Sequence, residues 1–211
     1  DSNYFEGNTI DGNAQDGVTY ETALSNDNNV WFGNEMSNNA WNGVRIRGGD
    51  TNSFLRNRMA SNGYSGLLME MGSDGNTVTD NDFLINTDWG VEIVNSNGTD
   101  IYHNNFIGNR NSNLQGWDNQ LAANNWDNGY PSGGNYWNDA AMDDRKSGPG
   151  QNIAGADGIC DNEYQLDGGP GWSDWYPMAN PIASLGGVAS IEITSHEDGD
   201  YVSGTITVKI G

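Results

Sequence analysis

Half of the chain's eight basic residues, Arg45, Arg47, Arg56 and Arg58, lie close together in the sequence. Guanidinium forks recognise carboxylates in a fixed, bidentate geometry, so this group could hold an anionic sugar such as a uronate, in the manner of a polysaccharide lyase. Acidic residues about one repeat away offer a different use for the same charges. Arg47 falls between Glu21 and Glu70, Arg58 between Glu35 and Asp82, and Arg56 beside Asp80, which reads as a ladder of opposite charges on neighbouring strands. Arg45, opposite Thr19 and Leu68, is the least well paired. The two lysines, Lys146 and Lys209, lie far from this stretch, which argues against a lysine-based lyase. A glycosidase needs two carboxyls roughly 5–9 Å apart, one of them protonated. Glu21 and Glu70 could reach that separation, but Arg47 between them would keep both ionised. No catalytic set is assigned.

Two other groups could bind. Trp41 and Tyr64 occupy the same position in successive repeats, with Trp89 one position off in the next. Exposed aromatic rings on a rigid ladder make a platform for sugar rings, and Arg45 is grouped with them as a candidate carbohydrate-binding residue. The same rings could equally pack a turn. Further on, Asp139, Asp143, Asp157 and Asp161, with Asp144 among them, gather between glycine-rich segments. Hard oxygen ligands in such loops suit Ca²⁺, although aspartate is also an ordinary turn residue. Asn97-Gly98-Thr99 is the single glycosylation sequon.

These side chains act together only if something sets their register, and an internal repeat does. Five segments align without gaps: 3–13, 29–39, 52–62, 76–86 and 99–109. Their sixth residues are Asn8, Asn34, Asn57, Asn81 and Asn104, spaced by 26, 23, 24 and 23; their last are Asn13, Asn39, Asn62, Asn86 and Asn109. Apolar residues alternate within each repeat, as in half-buried strands. The columns read Phe5, Trp31, Phe54, Val78, Ile101; Ile10, Met36, Met59, Phe83, Phe106; and Val18, Val44, Leu67, Val91. A period near 23 fits a coil of three short strands, each stacked about 4.8 Å from the next coil. Parallel crossovers are right-handed. The sequence therefore predicts an all-β chain, a right-handed, single-stranded parallel β-helix (a solenoid). The asparagines fall where strands end, where left-handed backbone is tolerated and side-chain amides can bond along the stack.

Bulk properties narrow the partners. Acidic residues outnumber basic ones by 29 to 8, for a net charge of −21. Such a surface repels nucleic acid and anionic lipid. Eight Trp, nine Tyr and five Phe exclude a disordered acidic chain, and no apolar run approaches the roughly 20 residues of a membrane span. The lone Cys160 forms no internal disulfide.

The coils are expected to occupy residues 1–109. Residues 110–180, carrying Trp117, Trp126, Trp137, Trp172 and Trp175, are expected to form an irregular C-terminal cap over the open end of the core. The uncapped start predicts further coils before Asp1. Residues 181–211 read as a linker and two strands, too few to fold alone.

The repeat, followed by Asn125-Trp126-Asp127, Gly134-Asn135-Tyr136-Trp137, Asp157-Gly158-Ile159-Cys160-Asp161 and Asp174-Trp175-Tyr176-Pro177-Met178, resembles the NosD-type parallel β-helix family over roughly residues 1–180. Cys160 stands where that family has a second glycine. The resemblance implies a secreted or cell-surface protein of the kind common in archaea. The tail from Ile191 to Val208 is similar to the first strands of the immunoglobulin-like modules appended to such proteins. The family name carries a copper association. The soft donors here argue against it: Met36, Met59 and Met69 fall on core columns, His103 and His196 are far apart, and Cys160 stands alone. The function expected is a non-enzymatic extracellular module that binds polysaccharide or forms part of a cell-envelope layer. The rivals are a polysaccharide lyase or glycoside hydrolase acting on the outward face, and a structural stalk or filament subunit.

Overall fold

Alternating apolar residues become three short parallel strands per coil in the computed structural model, which describes residues 2–21, 27–120, 123–141, 143–169 and 172–183. The second coil is typical, with strands Val30–Phe32, Glu35–Ser37 and Val44–Arg47. Each strand pairs with its counterpart in the next coil, giving three parallel sheets that run the length of the solenoid. The registers are those the columns require: Trp31 opposite Phe54, Met36 opposite Met59, Val44 opposite Leu67. Within a strand, alternate residues face inward, and Phe54, Met59, Leu67, Phe83 and Phe106 are fully buried. The inner column stacks ring on ring from Phe83 to Phe106 (5.0 Å) and on to Trp137 (4.1 Å).

The asparagines form the second framework. Asn8 donates from its backbone N and its Nδ2 to Asn34 Oδ1 (2.9 and 2.8 Å), and Asn34 does the same to Asn57 (2.9 and 3.0 Å). Asn57, Asn81, Asn104 and Asn135 continue the run. A parallel run links Asn13, Asn39, Asn62, Asn86 and Asn109. From Asn34 and Asn39 onward these amides are buried, and the hydrogen bonds between coils are what make their burial tolerable. The left-handed residue is not the asparagine but the residue before it: Gly7, Gly33, Arg56, Asp80 and His103 all have φ near 60°. That single reversed residue turns the chain so that the asparagine side chain points inward.

The coils do not stop at Asn109. Gly116–Asp118 pairs with Val91–Ile93 and completes the fifth coil, while Tyr136–Trp137 pairs with Asn105–Phe106 and begins a sixth. Gly116 takes the place of an aliphatic residue because Trp126 and Leu166 fill the space; a Cβ there would lie 2.9 Å from Leu166 Cδ2. The cap then closes the core: Tyr164 stacks on Trp137 at 4.1 Å, and a two-stranded antiparallel pair, Tyr164–Gln165 with Ser173–Asp174, holds it there. Ile182 bonds through its backbone to the Asn105 side chain (2.8 Å in each direction). The immunoglobulin-like strands expected in the tail, and His196, lie outside the described residues.

Candidate functional site

The third sheet's outward face carries Arg45 and Arg47, while Arg58 lies on the second sheet and Arg56 in the turn that leads into it. Residues of Val44–Arg47 and Leu67–Glu70 sit directly opposite one another, so Arg45 faces Leu68 and Arg47 faces Glu70. Arg47 Nη1 bonds Glu21 at 2.8 Å and its Nε lies 3.2 Å from Glu70. Arg58 meets Glu35 at 2.5 Å, and Arg56 lies 4.0 Å from Asp80 while also sitting over the Phe32 ring. The ladder therefore forms. Asp82 is opposite Arg58 in register, but its carboxylate accepts from Asn105 Nδ2 at 2.7 Å. Arg45 departs from expectation: its partner is Glu70, at 2.7 Å. A guanidinium reaches diagonally past its direct neighbour, so the residue opposite in register is not the one it binds.

Beside Arg45 the turn aromatics open to solvent. Tyr64 N donates to Trp41 O at 3.0 Å, placing the two residues one coil apart. Trp41 is 37% exposed and Tyr64 50%, and together with Asn42, Arg45 and Leu68 they line a groove of about 290 Å³. Trp89 does not join them. Its indole packs against Trp117, Arg110 covers its ring at 5.0 Å, and its Nε1 is buried. The one-residue offset in register is enough to send it to a different contact.

A carboxyl not singled out in the sequence sits on this face. Glu92 is opposite Leu68, two coils from Arg45, and accepts from Ser65 Oγ at 2.8 Å. Burial pushes its pKa above the ordinary range, with Asp88 and Glu70 adding to the effect against Ser65 and Arg45. Column counting hid it, because its neighbours in register are uncharged.

The four aspartates expected around calcium belong to two separate networks. Asp139 accepts from Leu114 N, Gln115 Nε2 and the Tyr164 hydroxyl. Asp143 pairs with Arg145 at 2.7 Å. Asp157 accepts from Gly148 N and Ile159 N, and Asp161 from Arg145 N and Lys146 N. Desolvation is the largest single influence on Asp161 and raises its pKa, but those last two bonds and Lys146 together outweigh it and hold the pKa down. Asp144 is engaged by Asp157 N and Gly158 N. The carboxylates thus organise backbone turns, and among the described residues no three His, Cys, Asp or Glu side chains are grouped to hold a metal ion.

A family model described as "Periplasmic copper-binding protein (NosD)" matches residues 1–141. No curated protein and no solved structure matches the chain. Copper(I) favours accessible thioether, thiolate and imidazole donors gathered at one place. Here Met36, Met59 and Met69 are fully buried in the core. His103 Nε2 lies 2.8 Å from Ser132 O. Cys160 is buried, and burial together with Asp174, Asp144, Asp161 and Asp143 pushes its thiol up to about 11, away from the thiolate a metal needs. These donors do not fit a copper site. No helix among the described residues is long and apolar enough to cross a membrane. With a match that covers well over half its length and a coil count that carries through Trp137, the chain belongs to the NosD family of parallel β-helix proteins.

Proposed function

We propose that this chain is a non-enzymatic module acting outside the cytoplasm, at the cell surface or in the envelope, and that it binds polysaccharide along the groove of Trp41, Tyr64 and Arg45. The observation that carries this reading is the pair of exposed rings held one coil apart over a groove of about 290 Å³. Rings fixed by a backbone ladder lose little entropy on binding, and the spacing between coils suits consecutive units of an extended chain. Arg45, already neutralised by Glu70, contributes hydrogen bonds rather than net charge. The test is a glycan array followed by calorimetry with Trp41→Ala/Tyr64→Ala. Binding should weaken at least about tenfold with an unchanged melting temperature. Binding that survives the double substitution would overturn the reading.

A second reading draws on Glu92. A carboxyl with a raised pKa near a second carboxyl is an arrangement a glycoside hydrolase uses, and Glu92, raised by burial, has Glu70, ion-paired with Arg45 and Arg47, in its neighbourhood. A reducing-sugar assay on the glycans the array identifies separates the two. Turnover lost in Glu92→Gln would favour the hydrolase.

A further inference from the structure

One turn of the coil repeats the sequence Asp-x-Asn. It reads Asp27-Asn28-Asn29, Asp50-Thr51-Asn52 and Asp74-Gly75-Asn76 in successive coils. The aspartates stack on the outside, where Asp27 Oδ1 accepts from Asp50 N at 2.9 Å and Asp50 Oδ1 from Asp74 N at 2.8 Å. The asparagines stack inside as a further buried ladder: Asn29 N donates to Asn52 Oδ1 at 2.9 Å, and Asn52 N to Asn76 Oδ1 at 2.8 Å. The next coil keeps the turn and changes both positions at once, to Asn97-Gly98-Thr99. Asn97 N still donates to Asp74 Oδ1 at 2.7 Å, and Thr99 N to Asn124 Oδ1 at 2.9 Å, so the register is kept.

The inner exchange weakens the fold. Thr99 is fully buried, and its Oγ1 has no hydrogen-bond partner. A sealed, unpaired hydroxyl is unfavourable, whereas asparagine would continue the ladder and valine would fill similar space without a polar atom. The outer exchange leaves a side chain idle. Asn97 is exposed, and its amide makes no hydrogen bond among the described residues, although Asp27, Asp50 and Asp74 each lend an oxygen to the following coil. The backbone beneath that amide is fixed: Gly75 N donates to Asn97 O and Gly98 N to Ala123 O, both at 2.8 Å.

Together the two exchanges create Asn-x-Thr, the acceptor for transfer of a glycan to an asparagine amide. We infer that Asn97 is an N-glycosylation site, and that Thr99 serves the transferase that reads it and not the coil that buries it. In the transfer, Asn97 Nδ2 attacks the anomeric carbon of a glycan carried on a lipid pyrophosphate. The N–C1 bond forms, the C1–O bond to pyrophosphate breaks with its electron pair, and the amide gives up one proton. Since the folded coil seals Thr99, the transferase meets this segment before the coil closes. The inference rests on the chain lying outside the cytoplasm, but not on the groove of Trp41 and Tyr64 binding anything.

The full chain is isolated from the cells that make it, and the proteolytic peptide spanning Asn97 is weighed by mass spectrometry. A hexose-containing mass on Asn97 is expected, kept in Thr99→Ser and lost in Asn97→Asp and in Thr99→Asn. Thr99→Asn restores the repeat, so without glycan it should melt within about 2 °C of unglycosylated wild type, or above it. A larger drop would make Thr99 a structural residue and overturn its assignment, and a glycan that survives Thr99→Asn would overturn it too. A secreted chain with Asn97 unmodified overturns the inference alone. A chain found unmodified in the cytoplasm overturns the proposed location along with it.

Discussion

Asn57 shows how much one side chain does in this fold. Its Nδ2 donates to Trp31 O at 2.8 Å and to Asn81 Oδ1 at 3.0 Å, and its Oδ1 receives both donors of Asn34. Asn57→Asp keeps the shape and removes the donors, so a carboxylate oxygen faces two carbonyls in a buried site. The expected cost is about 2–4 kcal/mol, measured by chemical denaturation. A cost under about 0.5 kcal/mol would mean that the ladder is not a stabilising element. Arg47→Ala should cost far less, under about 1 kcal/mol, because its partners are partly exposed and Glu70 retains Arg45. The same residues show where sequence reading reaches its limit. Identities at fixed spacing reveal which residues share a column. They do not reveal diagonal contacts, so Arg45–Glu70 and the neighbourhood of Glu92 were invisible, and a one-residue offset concealed that Trp89 turns away from Tyr64.

At the level of elements, the strands were legible because each repeats one alternation in one register. The sixth coil was not, although Asn135-Tyr136-Trp137 repeats the pattern of Asn104-Asn105-Phe106. A longer intervening loop broke the period, and Gly116 broke the aliphatic column. The cap's function depends on two of its residues. Trp137 is fully buried between Phe106 and Tyr164, and Trp137→Ala should cost about 3–5 kcal/mol, with hydrogen-exchange protection lost first around Phe106. Asp174 is fully buried, and that burial pushes its carboxyl up to about 7 against the donors from Asn135, Trp137 and Tyr176. Burial also raises Asp118. A folded pKa above the unfolded one favours the folded state at low pH: the contribution is complete below about pH 4 and is lost as pH rises through about 7. The melting temperature should be about 5 °C higher at pH 5 than at pH 8, and Asp174→Asn should flatten that difference. A rise in stability across the same interval would contradict the assignment.

For the molecule as a whole, a net charge of −21 opposes compaction. Added salt should raise the melting temperature by screening. Sodium and calcium chloride matched for ionic strength should act alike, since the cap aspartates already accept backbone N–H groups. A calcium-specific shift, reversed by chelator, would establish a cation site after all. The asparagine ladders have a further consequence. In every asparagine-to-asparagine link the donors sit on the earlier coil and the accepting Oδ1 on the later one, so these links run in one direction and their dipoles add, as peptide dipoles do in a helix, while the second Nδ2 hydrogen returns to a carbonyl of the earlier coil. The run through Asn104 ends with Asn135 N donating to Asp174, and the run through Asn109 ends with Gln115 donating to Asp139. Both ends terminate on carboxylates, which when ionised only accept. The solenoid therefore has polarity, and its two ends cannot be closed by the same chemistry: a cap built for the opposite end would need donors where this one has aspartates.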